Sequence, residues 1–547
     1  MVSRTGVVVV IVAVALVGVP VAGAIGPGPA GPGPAYDTFN ESQQAAGTDA
    51  SPIADQQPPD PDEDVLGWEN GYWYNETLDV TPEDGLNDSE LEAVVARGMA
   101  RVEEIRRLEF ETTPPVEVIG RDDYQQRVEN RTTNTTEAQE LHQNVKYEAL
   151  FMINESTDAV AVQASNRAGG VGGFYDPSTG EIKIVSENTE TPQMNEITLS
   201  QELFHALQDQ RFNVSAYNQS TRELHNAKDG IIEGDGNYVD HLYQERCDGA
   251  WNGTCLEPSG QDTPSDFQPH LGLYQILLQP YSDGPAFVEG VREDGGWDAV
   301  NAIYENPPAS TEQTIHPEKY GEDEPTDVSV PDRSDERWRP VDTNGSVDYA
   351  SFGEAGLYVT LWYPAFQTQG MTAIVPLQNH INYAPDGGVD QFDPYDYNHT
   401  VTAGWDGDKL VPYVTDQSSE TNETGYVYKM AWDSPEDATE FQTAYEELLQ
   451  FNGAEPVDGR IGTYRIPDGQ EFGDAFYLNQ TDDQLVVVNA PSVEDLSAVR
   501  DGAAPDGEPT PTEASGSTTT TTSGDGFTVL TVLLAVVGLV GIATRHR

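Results

Sequence analysis

The chain has 547 residues and a formal net charge of −66, from 93 acidic against 27 basic side chains. Binding to phosphate backbones or anionic lipid needs cationic patches, so this balance argues against nucleic acid and against an anionic membrane surface as partners. With 9% aromatic residues the acidity is spread over globular-looking sequence, and it reads as a solvated surface suited to high salt, where a Debye length of about 3 Å at 1 M screens self-repulsion.

Taken in chain order, Arg4 precedes an apolar run from Val7 to about Val21 that closes on Ala22, Gly23 and Ala24. A charged start, a short apolar run and a small-residue site predict a secretory signal peptide over 1–24. Residues 25–65, rich in Pro, Gly and Asp, predict a spacer that buries too little apolar surface to fold. A first folded region is expected over 66–410, with Trp68, Tyr72, Trp73 and Tyr74 packing at its edge. Ser89 and Glu92 have the spacing of a capping box, and Leu91, Val94, Val95, Val102 and Ile105 recur at helical spacing until Pro114 and Pro115. Val116 to Ile119 predicts a strand, and Val171 to Tyr175 with Glu181 to Val185 predicts a hairpin turned by Asp176 to Gly180. A helix over 195–210, a second through Gly230 to Val239, and helical patterns at Leu271 to Leu278 and Gly284 to Val291 follow.

A smaller α+β module is expected over 411–499, with a helix starting at Ser434-Pro435 whose Ala438, Phe441, Tyr445 and Leu448 form one face. Residues 500–525 carry the Thr run 518–522 of a stalk, and 526–544 an apolar span ahead of Arg545, His546 and Arg547. Cations just past such a span predict a membrane anchor with the bulk of the chain on the extracellular face. The only cysteines, Cys247 and Cys255, predict a disulfide rather than a metal site, since no His or Cys pair flanks them. Sequons such as Asn75, Asn213, Asn252, Asn398 and Asn479 agree with an exported glycoprotein.

The chemistry concentrates in Gln201-Glu202-Leu203-Phe204-His205, one residue away from the zinc-hydrolase pattern H-E-x-x-H. On a helix, positions 201, 205 and 208 share a face, so Gln201 and His205 stand one turn apart as candidate metal ligands with Glu202 beside them. Glu233, in a second helix, is the candidate third ligand, and Gly230, Gly234 and Gly236 would let that helix approach the first. His225 and His241 lie two turns from Glu233, about 12 Å along the axis, too far to share its metal.

Tyr175-Asp176-Pro177, Leu203 to Gln210, Ile232-Glu233-Gly234-Asp235, Pro307 to Tyr320 and Gly404 to Asp408 resemble, over about residues 100–500, a family of secreted gluzincin-type zinc metallopeptidases. The resemblance implies an α+β, zincin-like fold, a zinc cofactor held by His205 and Glu233, Glu202 as general base, and an extracellular protein or peptide substrate. Gln201 stands where the family has its first His ligand, and His316 is the candidate transition-state donor or structural His. The Thr-rich stalk, Asp525-Gly526-Phe527, the apolar span and the terminal arginines likewise resemble a haloarchaeal surface-sorting signal read by an archaeosortase, with Asp525 in place of Pro. The competing expectation is a non-catalytic surface-binding or envelope-structural glycoprotein derived from the same fold.

Overall fold

The computed structural model describes residues 59–507 except 82, 133–134, 169–170, 258–268, 386 and 422. The expected signal peptide, residues 25–58 of the spacer, residues 508–525 of the stalk and the C-terminal apolar span lie outside the described residues. Within them no helix is long and apolar enough to cross a membrane.

Strands β1 (Trp68–Glu69) and β2 (Tyr72–Trp73) form a small hairpin against α1 (Asp88–Arg106). The capping box of α1 uses Asn87 and Glu90 rather than Ser89 and Glu92. Asn87 has the extended backbone of a cap and its side chain accepts from Ser89 N and Glu90 N, while Glu90 accepts from Asn87 N at 2.9 Å. The helix also ends earlier than the proline pair, because Arg107 turns into the left-handed region (φ 62°).

Next come β3 (Val116–Gly120), α2 (Arg121–Thr132), α3 (Glu137–Glu148), α4 (Ala159–Ala168), β4 (Gly173–Asp176) and β5 (Glu181–Ser186). They build a three-stranded sheet ordered β3-β5-β4, in which β3 runs parallel to β5 and β4 is an antiparallel edge strand. The β4–β5 turn forms as its sequence predicts: Asp176 Oδ1 accepts from Ser178 N at 3.0 Å, and Gly180 supplies a positive φ of 70°.

Helices α5 (Glu196–Phe212), α6 (Arg222–Cys247), α7 (Leu271–Ile303) and α8 (Glu312–Ile315) follow. The two helical patterns expected around Pro280 and Pro285 are one helix that runs through both prolines and changes course at Gly296 (φ 69°). The remainder is β6 (Arg339–Pro340), α9 (Gly353–Gln367), β7 (Trp405–Val414), α10 (Ser418–Thr421), β8 (Gly425–Trp432), α11 (Pro435–Phe451), β9 (Glu455–Pro456), β10 (Thr463–Arg465), β11 (Ala475–Thr481), β12 (Gln484–Ala490) and α12 (Val493–Val499). Its strands form one seven-stranded sheet, β6-β7-β8-β12-β11-β10-β9.

Two cores organise this mixed α and β architecture. The first joins the small sheet to α1, α5 and α6 through Val94, Met99, Leu199, Leu203, Leu207 and Tyr243. The second joins α3, α7 and α9 to the large sheet and α11 through Ile276, Phe352, Trp362, Tyr428, Phe441 and Leu448. The sheet therefore extends N-terminal to the expected boundary at 411, taking in β6 and most of β7, and its inner face is continuous with the helical core rather than closed on itself. The physical reason is amphipathicity: α11 covers only part of that face, and α9, apolar nearly all round, must be buried on several sides.

Candidate metal centre

Helix α5 starts at Asn195, whose side chain accepts from Ile197 N at 2.8 Å. Its first residue, Glu196, is fully buried and saturated: it accepts from Arg97 at 2.8 Å, Arg101 at 2.6 Å, the Tyr243 hydroxyl at 2.6 Å and Leu256 N at 2.8 Å. This knot ties α5 to α1, to α6 and to the loop closed by the Cys247–Cys255 disulfide, which forms with Cα atoms 5.8 Å apart. The register of α5 is thereby set, and Gln201, Glu202 and His205 all point inward with at most 2% exposure.

The partner surface is α6. Gly236 is the glycine that admits the site residues, since a Cβ there would sit 3.2 Å from His205 Cε1 and 3.9 Å from Gln201 Cγ. The expectation that Gly230 and Gly234 serve the same approach is corrected by the structure. A Cβ at Gly234 would lie 2.6 Å from the backbone of Gly284 on α7, and one at Gly230 2.7 Å from Thr314 Cγ2 on α8. Those two glycines pack α6 against α7 and α8. On the other side, a Cβ at Gly173 of β4 would lie 3.4 Å from Glu202 Cγ, so the edge strand abuts Glu202.

His205 Nε2 lies 3.4 Å from Glu233 Oε2, both side chains being at most 1% exposed. Two ligand atoms about 2.0–2.2 Å from one tetrahedral ion are separated by roughly 3.4 Å, so this spacing fits a shared metal. The other ring nitrogen is held from behind. The Gln208 amide nitrogen donates to Ile232 O at 2.8 Å and to the Tyr304 hydroxyl at 2.6 Å, leaving its oxygen to accept from His205 Nδ1–H at 2.8 Å. Tyr304 in turn donates to Asp235 at 2.7 Å, and Asp235 is paired with Arg106 at 3.0 Å. A His whose Nδ1–H is engaged in this way presents the Nε2 lone pair to the site, the orientation that metal-bound histidines share.

Five buried polar atoms lie here without a close hydrogen-bond partner, Gln201 Nε2, both Glu202 oxygens, His205 Nε2 and Glu233 Oε2, although the last two face each other as the ion pair above and the Tyr175 backbone bears on Glu202. Buried groups are ordinarily satisfied, so such a concentration is unusual and fits a polar group or ion held between the two helices. The Gln201 amide can turn to present its oxygen in place of nitrogen. Burial pushes Glu202 up to about 8, with the Glu233 charge adding to the rise and His205 opposing it. Burial opposes protonation of His205, but the neighbouring Glu233 outweighs it and raises that imidazole to about 9.

The remaining candidates lie elsewhere. His316 Nε2 is 3.1 Å from Glu354 on α9, in a polar group with Glu318, Lys319 and Glu312 rather than with Glu202. The phenol that hydrogen-bonds Glu233 is Tyr281 of α7, held well above its ordinary value by burial and then by the Glu233 and Asp229 carboxylates. His225 pairs with Asp229 at 3.4 Å and His241 with Glu245 at 3.8 Å, so neither supplies the missing ligand. Among the described residues two acidic triplets, Glu148-Glu155-Asp474 and Glu312-Asp323-Asp433, bring three carboxylates together. In the second, Lys319 already bonds Glu312 at 2.6 Å and Asp433 at 2.8 Å.

Reading the sequence singled out Gln201, Glu202, His205 and Glu233, which the fold does bring together. It missed Gln208, Tyr304, Arg106 and Tyr281. Gln208 carries a signal, three residues after His205 on the same face. Arg106 and Tyr304 carry none, being 99 and 99 residues removed from His205 with no pattern to connect them.

A family model described as Domain of unknown function (DUF8575) matches residues 339–500, the span from β6 to α12 that builds the seven-stranded sheet. No curated protein and no solved structure matches the chain.

Proposed function

We propose that this protein is a zincin-like, metal-dependent peptidase acting on extracellular protein or peptide, with the metal held by His205, Glu233 and the Gln201 amide oxygen. The observation that carries this reading is the set of five buried polar atoms without a close hydrogen-bond partner on facing turns of α5 and α6. The donor set of one imidazole, one carboxylate and one amide oxygen is harder than the usual two-His arrangement, so zinc is held more weakly and manganese competes better. A metal bound there would polarise water and the scissile carbonyl.

Glu202 takes the proton from the attacking water and passes it to the leaving amine. A carboxyl raised to about 8 by burial is a strong base once ionised, and a metal beside it favours the ionised form. The Gln208–Tyr304–Asp235–Arg106 chain keeps His205 in the correct tautomer and orientation. Tyr281, hydrogen-bonded to Glu233, orients that carboxylate. Edge strand β4 beside Glu202 offers a peptide backbone an antiparallel partner.

Metal analysis of the chain purified in high salt, after incubation with zinc or manganese, tests the reading. Near-stoichiometric metal, with peptide cleavage reduced at least about 100-fold by Glu202→Ala, is the expected result. Gln201→His should tighten zinc at least about tenfold, measured by chelator competition. A parent and a Gln201→His variant that both stay metal-free would sink the proposal.

A further inference from the structure

A second polar cavity, of about 460 Å³, opens at the N-terminus of α6, walled by α3, α4 and the loop between β6 and α9. Its walls carry Lys146, Arg167 and Arg222, three cations gathered in a chain with only 27 basic residues among 547. Such a gathering opposes the charge pattern of the rest of the molecule. Lys146 and Arg222 are each only 8% exposed, and neither forms an ion pair with a carboxylate among the described residues. Arg222 Nε has no hydrogen-bond partner, and Nη1 has only Asn226 Oδ1 at 3.5 Å. Against the effect of burial, the Tyr147 phenol is lowered by Lys146 and Arg222, both of which it hydrogen-bonds. A hydroxyl is a weak counter-charge for two buried cations, and burying a cation costs several kcal/mol by general estimates, so this pair can take an anion from outside the chain.

Two further features agree. Helix α6 begins at Thr221, on the cavity wall, so the positive end of a 26-residue helix faces the same space. The cationic field is also felt by neighbours: burial, then Arg222, Arg167 and Lys146, drive His225 well below its ordinary value. Beside the apolar Val160, Val347 and Ala350, most of the remaining lining is hydroxyl and amide, including Gln143, Gln163, Ser220 and Ser346. Such groups match the hydroxyls of a small polar ligand, and the volume lies in the range of small-molecule sites.

We infer that this cavity binds a small hydroxylated anion, a carboxylate or phosphate of sugar-acid or sugar-phosphate size, with Lys146 and Arg222 on the anionic group. The site is distinct from the metal centre, because Arg222 and Glu233 are eleven residues apart on one helix, about 16 Å along its axis. The reading therefore stands whether or not the chain is a peptidase.

Calorimetric titration of the full chain with glucose 6-phosphate, glucuronate and glucose, at one fixed salt concentration, tests it. Saturable one-site binding of either anion, at least tenfold tighter than glucose, is expected, and the tighter of the two identifies the acid. Ser220→Asp puts a carboxylate at the mouth, on an exposed residue preceding the helix cap, where negative charge favours the helix. That variant should keep the parent melting temperature and lose at least tenfold in anion affinity, and Arg222→Gln should lose as much. The inference is overturned by absence of saturable binding for both anions, by glucose binding equally well, or by parent-like affinity in Ser220→Asp and Arg222→Gln.

Discussion

Helix α5 carries two buried glutamates six positions apart that have opposite surroundings. Glu196 is saturated by two arginines, a tyrosine hydroxyl and a backbone amide. Glu202, equally buried, has no close side-chain donor and only the Tyr175 backbone favouring its ionised form, so burial leaves its charge disfavoured. Burial is therefore not what separates a structural carboxylate from one proposed as a base. The completeness of its partners is, because a satisfied charge stabilises a packing arrangement and an orphaned one is retained at a cost to stability.

The sharpest way to break this comparison is to remove each carboxylate in turn. Glu196→Ala leaves Arg97 and Arg101 buried without their counter-charge and should cost about 3–5 kcal/mol, read from urea unfolding midpoints. Glu202→Gln replaces a buried carboxyl, held neutral below about pH 8, by a neutral amide of the same shape and should change stability by less than about 1 kcal/mol. Equal losses in the two variants would abolish the distinction.

A smaller effect separates the two glycines of α6 in the same manner. Gly234→Ala drives a methyl into the Gly284 backbone at 2.6 Å, where neither helix can yield, and should destabilise by about 1–3 kcal/mol. Gly236→Ala meets side chains alone, the His205 ring at 3.2 Å and Gln201 Cγ at 3.9 Å, and should cost less than about 1 kcal/mol while lowering metal retention. Retained metal in Gly236→Ala at the parent level would show that this glycine does not shape the site.

The mildest expected effect is on pH dependence. Burial raises Glu69 to about 9, with Glu103 adding to the rise, and raises Glu223 and Glu312 to about 8. Their value in the unfolded chain is near 4.5, so between pH 6.5 and 8.5 the folded state holds protons that the unfolded state has released. Stability from these groups is complete below about pH 4.5 and declines as pH rises through their folded values. Lys146, Lys228 and Lys429, each lowered first by burial, act the other way, against a larger set of raised carboxyls that also includes Glu103 and Glu202. The urea midpoint should be lower at pH 8.5 than at pH 6.5, and Glu69→Gln should flatten the slope. A midpoint that rises over this window would contradict the assignment.

Local order was largely legible. The β4–β5 hairpin, helices α5 and α6, and the Ser434-Pro435 start of α11 follow from turn residues, apolar period and capping, all of which act within a few positions. Residues 201, 202, 205 and 233 could be chosen as one site from their spacing and the family resemblance. The cap of α1 slipped by two residues because Asn87 and Ser89 are both competent caps, and packing of Leu91, Val94 and Val95 decides between them. The expected boundary at 411 was misplaced because β6 comes from 65 residues before β7 and is only two residues long, too short for a periodic signal.

By itself, the sequence determined where α5 and α6 run and which of their faces carry carboxylates, amides and imidazole, because helical period is a local property. Only the tertiary structure decided which of those groups are answered. Glu196 is satisfied because α1 brings Arg97 and Arg101 across a shared core, and His205 is oriented because α7 returns Tyr304 to Gln208. Lys146 and Arg222 gather around one cavity because α3 and α6 meet there. These pairings depend on the packing of elements distant in sequence, and no local period encodes them.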